Sequence, residues 1–199
     1  MERGEAIKIL NEKIKNKNLI KHSLAVESCM KKLAEKFGQD KEKWAIAGLL
    51  HDLDYEETKD NFQMHGKRTA EILKDKLPED VLEAIVAHPG HIERKTLLSK
   101  ALYCVDPLTG LIVASALITK EKKLSSIDTD FVLNRFKEKR FAAGANREQI
   151  KKCEDIGLSL DEFISICLEA MKEISDELGL RIILTLPFKV LTFLMRKKS

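Results

Sequence analysis

The residues best suited to chemistry are an adjacent histidine and aspartate, His51 and Asp52, which follow an apolar stretch. That stretch, residues 45–50, reads AIAGLL and predicts a helix that is buried on every side. An imidazole and a carboxylate buried at the end of such a helix cost several kcal/mol unless they have polar partners. The pair therefore requires a hydrogen-bond network, a buried ion pair or a metal ion.

Two further residues favour a metal ion. His22 lies in the first turn of a helix predicted over residues 20–37, and Asp106 is an isolated carboxylate within a long apolar segment. Two imidazoles and two carboxylates suit a divalent cation such as Mn, Fe, Co, Ni, Zn or Mg. Facing helices can bring such side chains into one pocket. We therefore expect an ion bound by His22, His51, Asp52 and Asp106, with a buried hydrogen-bond network as the alternative.

Composition limits the class of protein. The 199 residues are 44% apolar and 34% charged, which is ordinary for a globular protein with a substantial core. A formal charge of +3 is too small to indicate nucleic acid as the main partner. The four cysteines form no CxxC pair and the N-terminus is too polar for a signal peptide, so we expect a cytoplasmic protein.

The chain reads as a series of helices, which predicts an all-α fold. Periodicity and end signals place helices at residues 4–16, 20–37, 41–51, 60–76, 79–87, 94–119, 128–136, 146–155 and 159–179. The helix over residues 94–119 is expected to kink or restart at Pro107. We divide the chain into a histidine-bearing core over residues 1–120, a helical cover over 121–180 and a tail over 181–199.

The tail differs in character from the rest of the chain. Residues 182–195 are almost continuously apolar, and three basic residues follow them. We expect a tail helix that packs on the body or makes a homo-oligomer contact with a second subunit. Peripheral contact with a membrane is the alternative.

The histidines and aspartates, with their surroundings, resemble the HD-domain superfamily of metal-dependent phosphohydrolases. The order His22, His51-Asp52, Asp106 is similar to that of the family's metal ligands. Residues 48–56, GLLHDLDYE, resemble its central signature, and residues 106–112, DPLTGLI, resemble its later ligand-bearing helix. The similarity covers about residues 18–120. It implies a compact HD-type helical bundle, here with an additional helical C-terminal region, and hydrolysis of phosphate esters, commonly nucleotides.

The resemblance also implies a second metal position. His65 and His88 are similar to histidines that bind a further ion in two-metal members of the family. If both bind, Asp52 bridges the two ions. The alternative for each histidine is a structural or exposed role.

Several nearby residues are candidates for catalysis or substrate contact. Asp54 is a candidate for orienting water or accepting a proton, and a solvated turn is the alternative. Some relatives carry lysine or glutamate three residues after the metal-binding aspartate, whereas this chain has Tyr55, so their acid–base assignments do not transfer. The remaining candidates for substrate contact, each of which could instead be solvated, are Lys67, Arg68 and His91.

We expect metal-assisted hydrolysis of a small phosphate ester, with Asp52 or Asp54 accepting a proton and with no nucleic acid partner. Two other functions stay open. A two-iron oxygenase requires His65 and His88 as ligands and two bound irons. A non-catalytic sensor would bind a metal and a nucleotide without turnover.

Overall fold

The structure, a computed structural model, describes residues 1–181, and it confirms the all-α prediction, because no strand occurs in that range. The α-helices are, in chain order, α1 (Arg3–Lys13), α2 (Lys17–Lys36), α3 (Lys41–Leu50), α4 (Tyr55–Thr58), α5 (Lys67–Leu73), α6 (Glu79–Ala87), α7 (Leu97–Leu117), α8 (Thr129–Lys137), α9 (Arg147–Lys151), α10 (Leu160–Glu173) and α11 (Ser175–Leu178). Short 3-10 helices occur at Phe62–Met64, Leu124–Ser126 and Lys152–Ile156.

Helices α2 and α3 form an antiparallel hairpin that brings two predicted site residues together. The turn contains Gly38, with φ +62°, and the Asp40 carboxylate caps α3 by accepting a hydrogen bond from the Lys43 N–H. Gly48 allows the helices to approach closely, since a Cβ there would lie 2.9 Å from the Val26 carbonyl oxygen. The start of α2 therefore lies beside the end of α3.

Helix α7 is the central helix of the core and contacts α2, α6, α8 and α9. It is long and apolar enough to cross a membrane by length and composition alone. However, 56% of its most apolar 18-residue window is buried inside the protein. This burial is what a core helix requires.

Helix α7 continues through Pro107, so the predicted restart there does not occur. Proline has no N–H and leaves the carbonyl of the residue four positions earlier, Tyr103, without its helical donor. The side-chain amide of Gln149 donates to that carbonyl at 2.7 Å. A residue from α9 thus replaces the missing hydrogen bond next to Asp106.

The helix predicted over residues 60–76 is interrupted. A 3-10 turn at Phe62–Met64 is followed by His65 in an extended conformation, by Gly66 with φ +76°, and only then by α5. A Cβ on Gly66 would lie 2.6 Å from the Ile85 carbonyl oxygen of α6. This left-handed glycine fits the turn against α6, and it places His65 in the junction ahead of α5.

The region after residue 120 packs on the histidine-bearing helices. Helix α10 contacts α2 and α8, and its Phe163 and Cys167 are fully buried in the common core. The predicted helix over residues 159–179 divides into α10 and α11, and Gly179, with φ +72°, ends it. The predicted tail helix falls on residues 182–199, which lie outside the described part, so it stays a prediction.

Candidate metal centre

Six predicted site residues from different parts of the chain converge at one end of the helical core. Two lie directly after α3, one lies ahead of α5, one ends α6, and α2 and α7 each supply one. Their side chains are buried or half-buried. The six residues are His22, His51, Asp52, His65, His88 and Asp106.

One half of the cluster is formed by His22, His51 and Asp106. The His22 Nε2 atom lies 3.2 Å from His51 Nε2 and 3.1 Å from Asp106 Oδ1. His51 Nε2 lies 3.8 Å from the same carboxylate oxygen. One ligand atom from each of these residues falls within 4.8 Å of the others, so the three can hold a single ion.

The other half is formed by His65 and His88. Their Nε2 atoms lie 3.2 Å apart, and Asp52 Oδ1 lies 3.2 Å from the first and 3.3 Å from the second. The second oxygen of Asp52, Oδ2, lies 3.6 Å from His22 Nε2 in the first half. Asp52 therefore contacts both halves, and its carboxylate could contribute an oxygen to an ion held in either of them.

Two of the histidines are oriented by carbonyl groups of their own helices. The Nδ1–H of His51 donates to the Gly48 carbonyl at 2.8 Å, and the Nδ1–H of His88 donates to the Ile85 carbonyl at 2.6 Å. A carbonyl oxygen can only accept, so Nδ1 carries the proton in both rings. In the neutral rings, Nε2 is left with a lone pair that points into the cluster.

The other two histidines are oriented by side chains. His65 donates from Nδ1 to Asp54 Oδ1 at 2.7 Å. His22 donates from Nδ1 to Thr109 Oγ1 at 3.1 Å, because the Thr109 hydroxyl hydrogen is already donated to the Asp106 carbonyl at 2.9 Å. Metal-bound histidines typically have such a partner on the opposite ring nitrogen.

The donor set fits a divalent cation. In each half of the cluster two Nε2 atoms lie 3.2 Å apart. If the imidazoles were neutral, their lone pairs would face each other and repel, and either protons or a cation must relieve this repulsion. Nitrogen and carboxylate donors together suit Mn, Fe, Co, Ni or Zn. The two aspartates also offset the charge of a bound ion.

The electrostatics of the cluster agree with this assignment. Burial lowers the pKa of His51, but the Asp52 and Asp106 carboxylates overcome this effect and raise the pKa to about 9. In His65 burial is likewise overcome, by Asp52 and Asp54, and the pKa is again about 9. The histidines in turn hold the pKa of Asp52 and of Asp106 below the usual value, despite burial. The carboxylates thus favour positive charge at His51 and His65, whereas burial outweighs the effect of Asp52 at His88 and lowers its pKa.

The cluster forms the floor of a cleft of about 330 Å³. Aromatic and apolar side chains make up most of the walls, and Gln149 adds one amide. Within the described part of the chain, no lysine or arginine lines this cleft. The wall residues are Leu19, Tyr55, Phe62, Pro89, Pro107, Gly144 and Gln149.

One arginine organises the loop beside His22 and Asp106. Arg147 donates hydrogen bonds to the carbonyls of Phe136, Ala142 and Ala145, at 3.2, 2.8 and 2.6 Å, and reaches further carbonyls of the same loop. Ala142 has φ +43°, which is unfavourable for a residue with a side chain. Residues 142–145 line a second cavity together with His22 and Asp106. Arg147 thereby holds this wall of the site.

Three predicted substrate contacts are not brought to the cleft. Arg68 pairs with Glu57 and Glu71, and His91 Nε2 donates to the Phe62 carbonyl at 2.8 Å. Lys67 begins α5 and does not line the cleft. Lys67 and Arg68 lie on α5, which the Gly66 turn separates from His65. His91 lies beyond α6, where its hydrogen bond to Phe62 occupies Nε2.

Asp54 reaches the site only through His65. It is fully buried, and its second carboxylate oxygen, Oδ2, accepts a hydrogen bond from the Thr69 N–H at 2.9 Å. With one oxygen on His65 and the other on Thr69, Asp54 is arranged to position an imidazole. This geometry does not favour the expected role as a proton acceptor.

Thr109 and the two carbonyl groups that orient histidines were not among the residues predicted from the sequence. Thr109 lies three residues after Asp106 on the same helix, and that spacing was an available signal. The carbonyls of Gly48 and Ile85 have no such signal, because every residue carries one.

Comparison with known proteins agrees with the geometry. Residues 19–130, more than half of the chain, match the model of the HD domain family. The chain is 28% identical over 165 residues to a ribonuclease Y of a Sulfurovum species, covering 80% of this chain and 32% of that protein. It is 36% identical over 93 residues to a ribonuclease Y of a Nitratiruptor species, covering 46% of this chain and 18% of that protein.

A third relative, a ribonuclease Y of Enterococcus faecalis, is 24% identical over 168 residues, which are 81% of this chain and 32% of the relative. The chain thus spans about a third or less of the length of these relatives. No solved structure matches the chain significantly. Because the matched residues 19–130 contain all six converging side chains, the chain belongs to the HD-domain superfamily of metal-dependent phosphohydrolases.

Proposed function

We propose that the protein hydrolyses a nucleotide or a related small phosphomonoester or phosphodiester at the six-residue cluster. The observation that carries this proposal is the convergence of four histidine Nε2 atoms and two carboxylates on the floor of one cleft. Donors in this arrangement have the chemistry that a metal-dependent hydrolase needs.

His22, His51, Asp52 and Asp106 would hold one divalent cation, and His65 and His88 would complete a second site that shares Asp52. A bound divalent cation lowers the pKa of a coordinated water towards ~7 and polarises a phosphoryl oxygen. The chain's own residues fix where this chemistry occurs. The partners on Nδ1 keep the four rings in orientations that leave Nε2 free.

Asp52 is the carboxylate placed to accept a proton from the attacking water, since it lies at the cleft floor between both halves. The water oxygen forms a bond to phosphorus, the ester P–O bond breaks, and the departing alcohol takes up the proton that Asp52 accepted. Asp54 acts one step further away, by holding His65 in place.

The cleft favours a substrate that carries a single phosphate. No lysine or arginine from residues 1–181 lines it, so within this cleft the positive charge facing a phosphate would come from the bound cation. A diphosphate or triphosphate would bring further negative charge against Asp52 and Asp106. The lining of the cleft therefore favours a monoester or a diester.

A phosphodiester bond within RNA is the second candidate substrate. The three curated relatives are ribonuclease Y proteins, which favours RNA. The formal charge of +3 and the absence of basic residues in the described cleft wall favour a small ester. A short RNA oligonucleotide therefore belongs in the substrate panel.

Elemental analysis and phosphatase assays test the proposal together. The purified protein is compared with His51→Ala and Asp106→Ala, and with Asp130→Ala as a matched control on the exposed surface of α8. We expect one or two ions per chain, and loss of both metal and activity in the first two variants only. Absence of metal under every loading condition would overturn the proposal.

Other outcomes would identify the alternative functions. Two irons per chain without phosphatase activity would indicate an oxygenase. Tight binding of a nucleotide without turnover would indicate a sensor. Cleavage of the oligonucleotide in preference to mononucleotides would select RNA.

A further inference from the structure

We propose that the exposed rings of Tyr55 and Phe62 bind the planar base of the substrate, which makes the protein selective for nucleotides over sugar phosphates. This inference rests on the proposed function, because it takes the metal cluster as the position of the phosphate. It assigns base recognition to two residues that make no contribution to metal binding.

Both rings are exposed at the mouth of the cleft. Tyr55 is 42% exposed and Phe62 is 55% exposed, although most large apolar side chains of the described residues are buried. Both residues line the cleft above the cluster. An exposed apolar surface beside a set of convergent polar groups is typical of a ligand-binding site.

The two rings lie beside a residue of the metal cluster. The ring centroids of Tyr55 and of Phe62 are each 5.6 Å from that of His65. A base that stacks on either ring would therefore lie near the His65 side chain, whose Nε2 atom belongs to the metal cluster. In a nucleotide the sugar separates the base from the phosphate, so base and phosphate can occupy the two positions together.

Contacts with His91 hold Phe62 in place. The His91 Nε2–H donates to the Phe62 carbonyl at 2.8 Å, and the His91 ring meets the Phe62 ring edge-on at a centroid distance of 5.1 Å. These contacts fix the 3-10 turn that carries Phe62 while leaving more than half of its side chain uncovered. His91 therefore supports base binding as a positioning residue.

The other residues that line the cleft are compatible with recognition of a base through stacking on its planar face. Leu19, Pro89 and Pro107 add apolar wall, and Gln149 uses its amide nitrogen on the Tyr103 carbonyl. Stacking on aromatic rings tolerates any base, because every base has a π-face. We expect the preference for a base over no base to exceed any preference among bases.

Nucleoside binding tests this inference without requiring hydrolysis. The fluorescent nucleoside 2-aminopurine riboside, which has no phosphate, is titrated into the metal-loaded full chain. Stacking quenches its fluorescence. We expect quenching with the unaltered protein and with Phe62→Tyr, and at least about fivefold weaker binding with Phe62→Leu and Tyr55→Leu.

Ile118→Ala is the matched control, since Ile118 is an apolar residue that is 51% exposed at the end of α7 and does not line the cleft. It should bind the nucleoside as the unaltered protein does. Equal binding by Phe62→Leu and Phe62→Tyr would overturn stacking, and so would absence of quenching in the unaltered protein.

Kinetics separate this inference from the proposed function. Phe62→Leu should raise KM for adenosine 5′-monophosphate at least about fivefold and leave KM for ribose 5-phosphate unchanged. If both esters are hydrolysed and Phe62→Leu changes neither KM, base binding is overturned but the proposed phosphohydrolase activity is not. Hydrolysis of neither would overturn the hydrolase, while the nucleoside titration would still decide whether the rings bind a base.

Discussion

Each histidine of the cluster is held by a partner on the side of the ring that faces away from the proposed metal. The partners are of three chemical kinds: carbonyl groups for His51 and His88, a hydroxyl for His22 and a carboxylate for His65. A carboxylate partner makes the ring a stronger electron donor than a carbonyl or hydroxyl partner does. His65 is therefore the histidine whose binding depends most on a neighbouring side chain.

Replacing Asp54 with asparagine should weaken metal binding about 10- to 100-fold. The amide keeps the size of the side chain but removes the negative charge 2.7 Å from His65 Nδ1. Titration of metal into chelated protein measures the effect. Asp60→Asn, on the exposed surface, is the control and should bind as the unaltered protein does. Unchanged affinity in Asp54→Asn would show that His65 does not depend on this carboxylate.

The metal-free protein should lose stability as the pH rises from 6.5 to about 9. The folded pKa values of His51 and His65 are raised from 6.5 to about 9, so their protonated forms stabilise the fold fully below pH 6.5 and lose that effect as the pH approaches 9. Thermal melts of chelated protein across this range measure the fall in Tm. The metal-loaded protein should show a smaller fall, because a bound cation replaces the protons. A Tm that rises over this range without metal would contradict the expectation.

At the scale of the helices, the spacing between α2 and α3 sets the distance between His22 and His51. Gly48 makes that spacing possible, because its missing Cβ leaves room for the Val26 carbonyl. The glycine lies three residues before His51, and its own carbonyl orients that ring. Gly48 thus affects both the packing of α2 against α3 and the orientation of the His51 ring.

Gly48→Ala should destabilise the protein by about 1–3 kcal/mol, since the added methyl group overpacks the interface. We also expect a weaker metal site, because the helices must move apart. Denaturant melts and metal titration measure the two effects. Gly110→Ala is the control for stability: Gly110 also lies within a helix, but a Cβ there would meet nothing within 4 Å. Equal stability of the two variants would show that the close approach is unimportant.

The sequence predicted the helices well where local signals decide their ends. Helix α6 spans residues 79–87, as predicted from Pro78 before it and Pro89-Gly90 after it. The prediction failed where a distant contact decides. The Ile85 carbonyl explains the turn at Gly66, and the Gln149 amide explains the uninterrupted α7, and neither partner is near in sequence.

The distinction between local sequence signals and distant contacts also applies to the site. Residue type and order predicted His22, His51, Asp52 and Asp106, because an isolated polar group in an apolar helix requires a partner. The positions of His65 and His88 were expected only from the family resemblance. Residue type and order did not place Lys67 and Arg68, which lie on α5 after the Gly66 turn, or His91, which is hydrogen-bonded to the Phe62 carbonyl. Cationic residues next to a ligand in sequence can still lie outside its pocket.

At the scale of the whole molecule, the cluster, the residues that line the cleft and those that line the second cavity belong to the described residues 1–181. The tail over residues 181–199 is expected, from its apolar sequence, to pack on the body or on a second subunit. Deleting it should therefore change solubility or subunit association and leave metal content unchanged. Size-exclusion chromatography with light scattering, together with elemental analysis, measures both. No change in either solubility or association would exclude packing by the tail.

The wall held by Arg147 contributes none of the six converging side chains. These come from residues 22–106, whereas the loop over residues 142–145 comes from a later stretch that is stabilised mainly through its own backbone carbonyls. Substitutions in that loop can alter the shape of the site and leave the metal ligands in place. In evolutionary terms, a wall that supplies none of the six side chains is a part of the site in which substitutions can change the substrate while the chemistry of the cluster is kept.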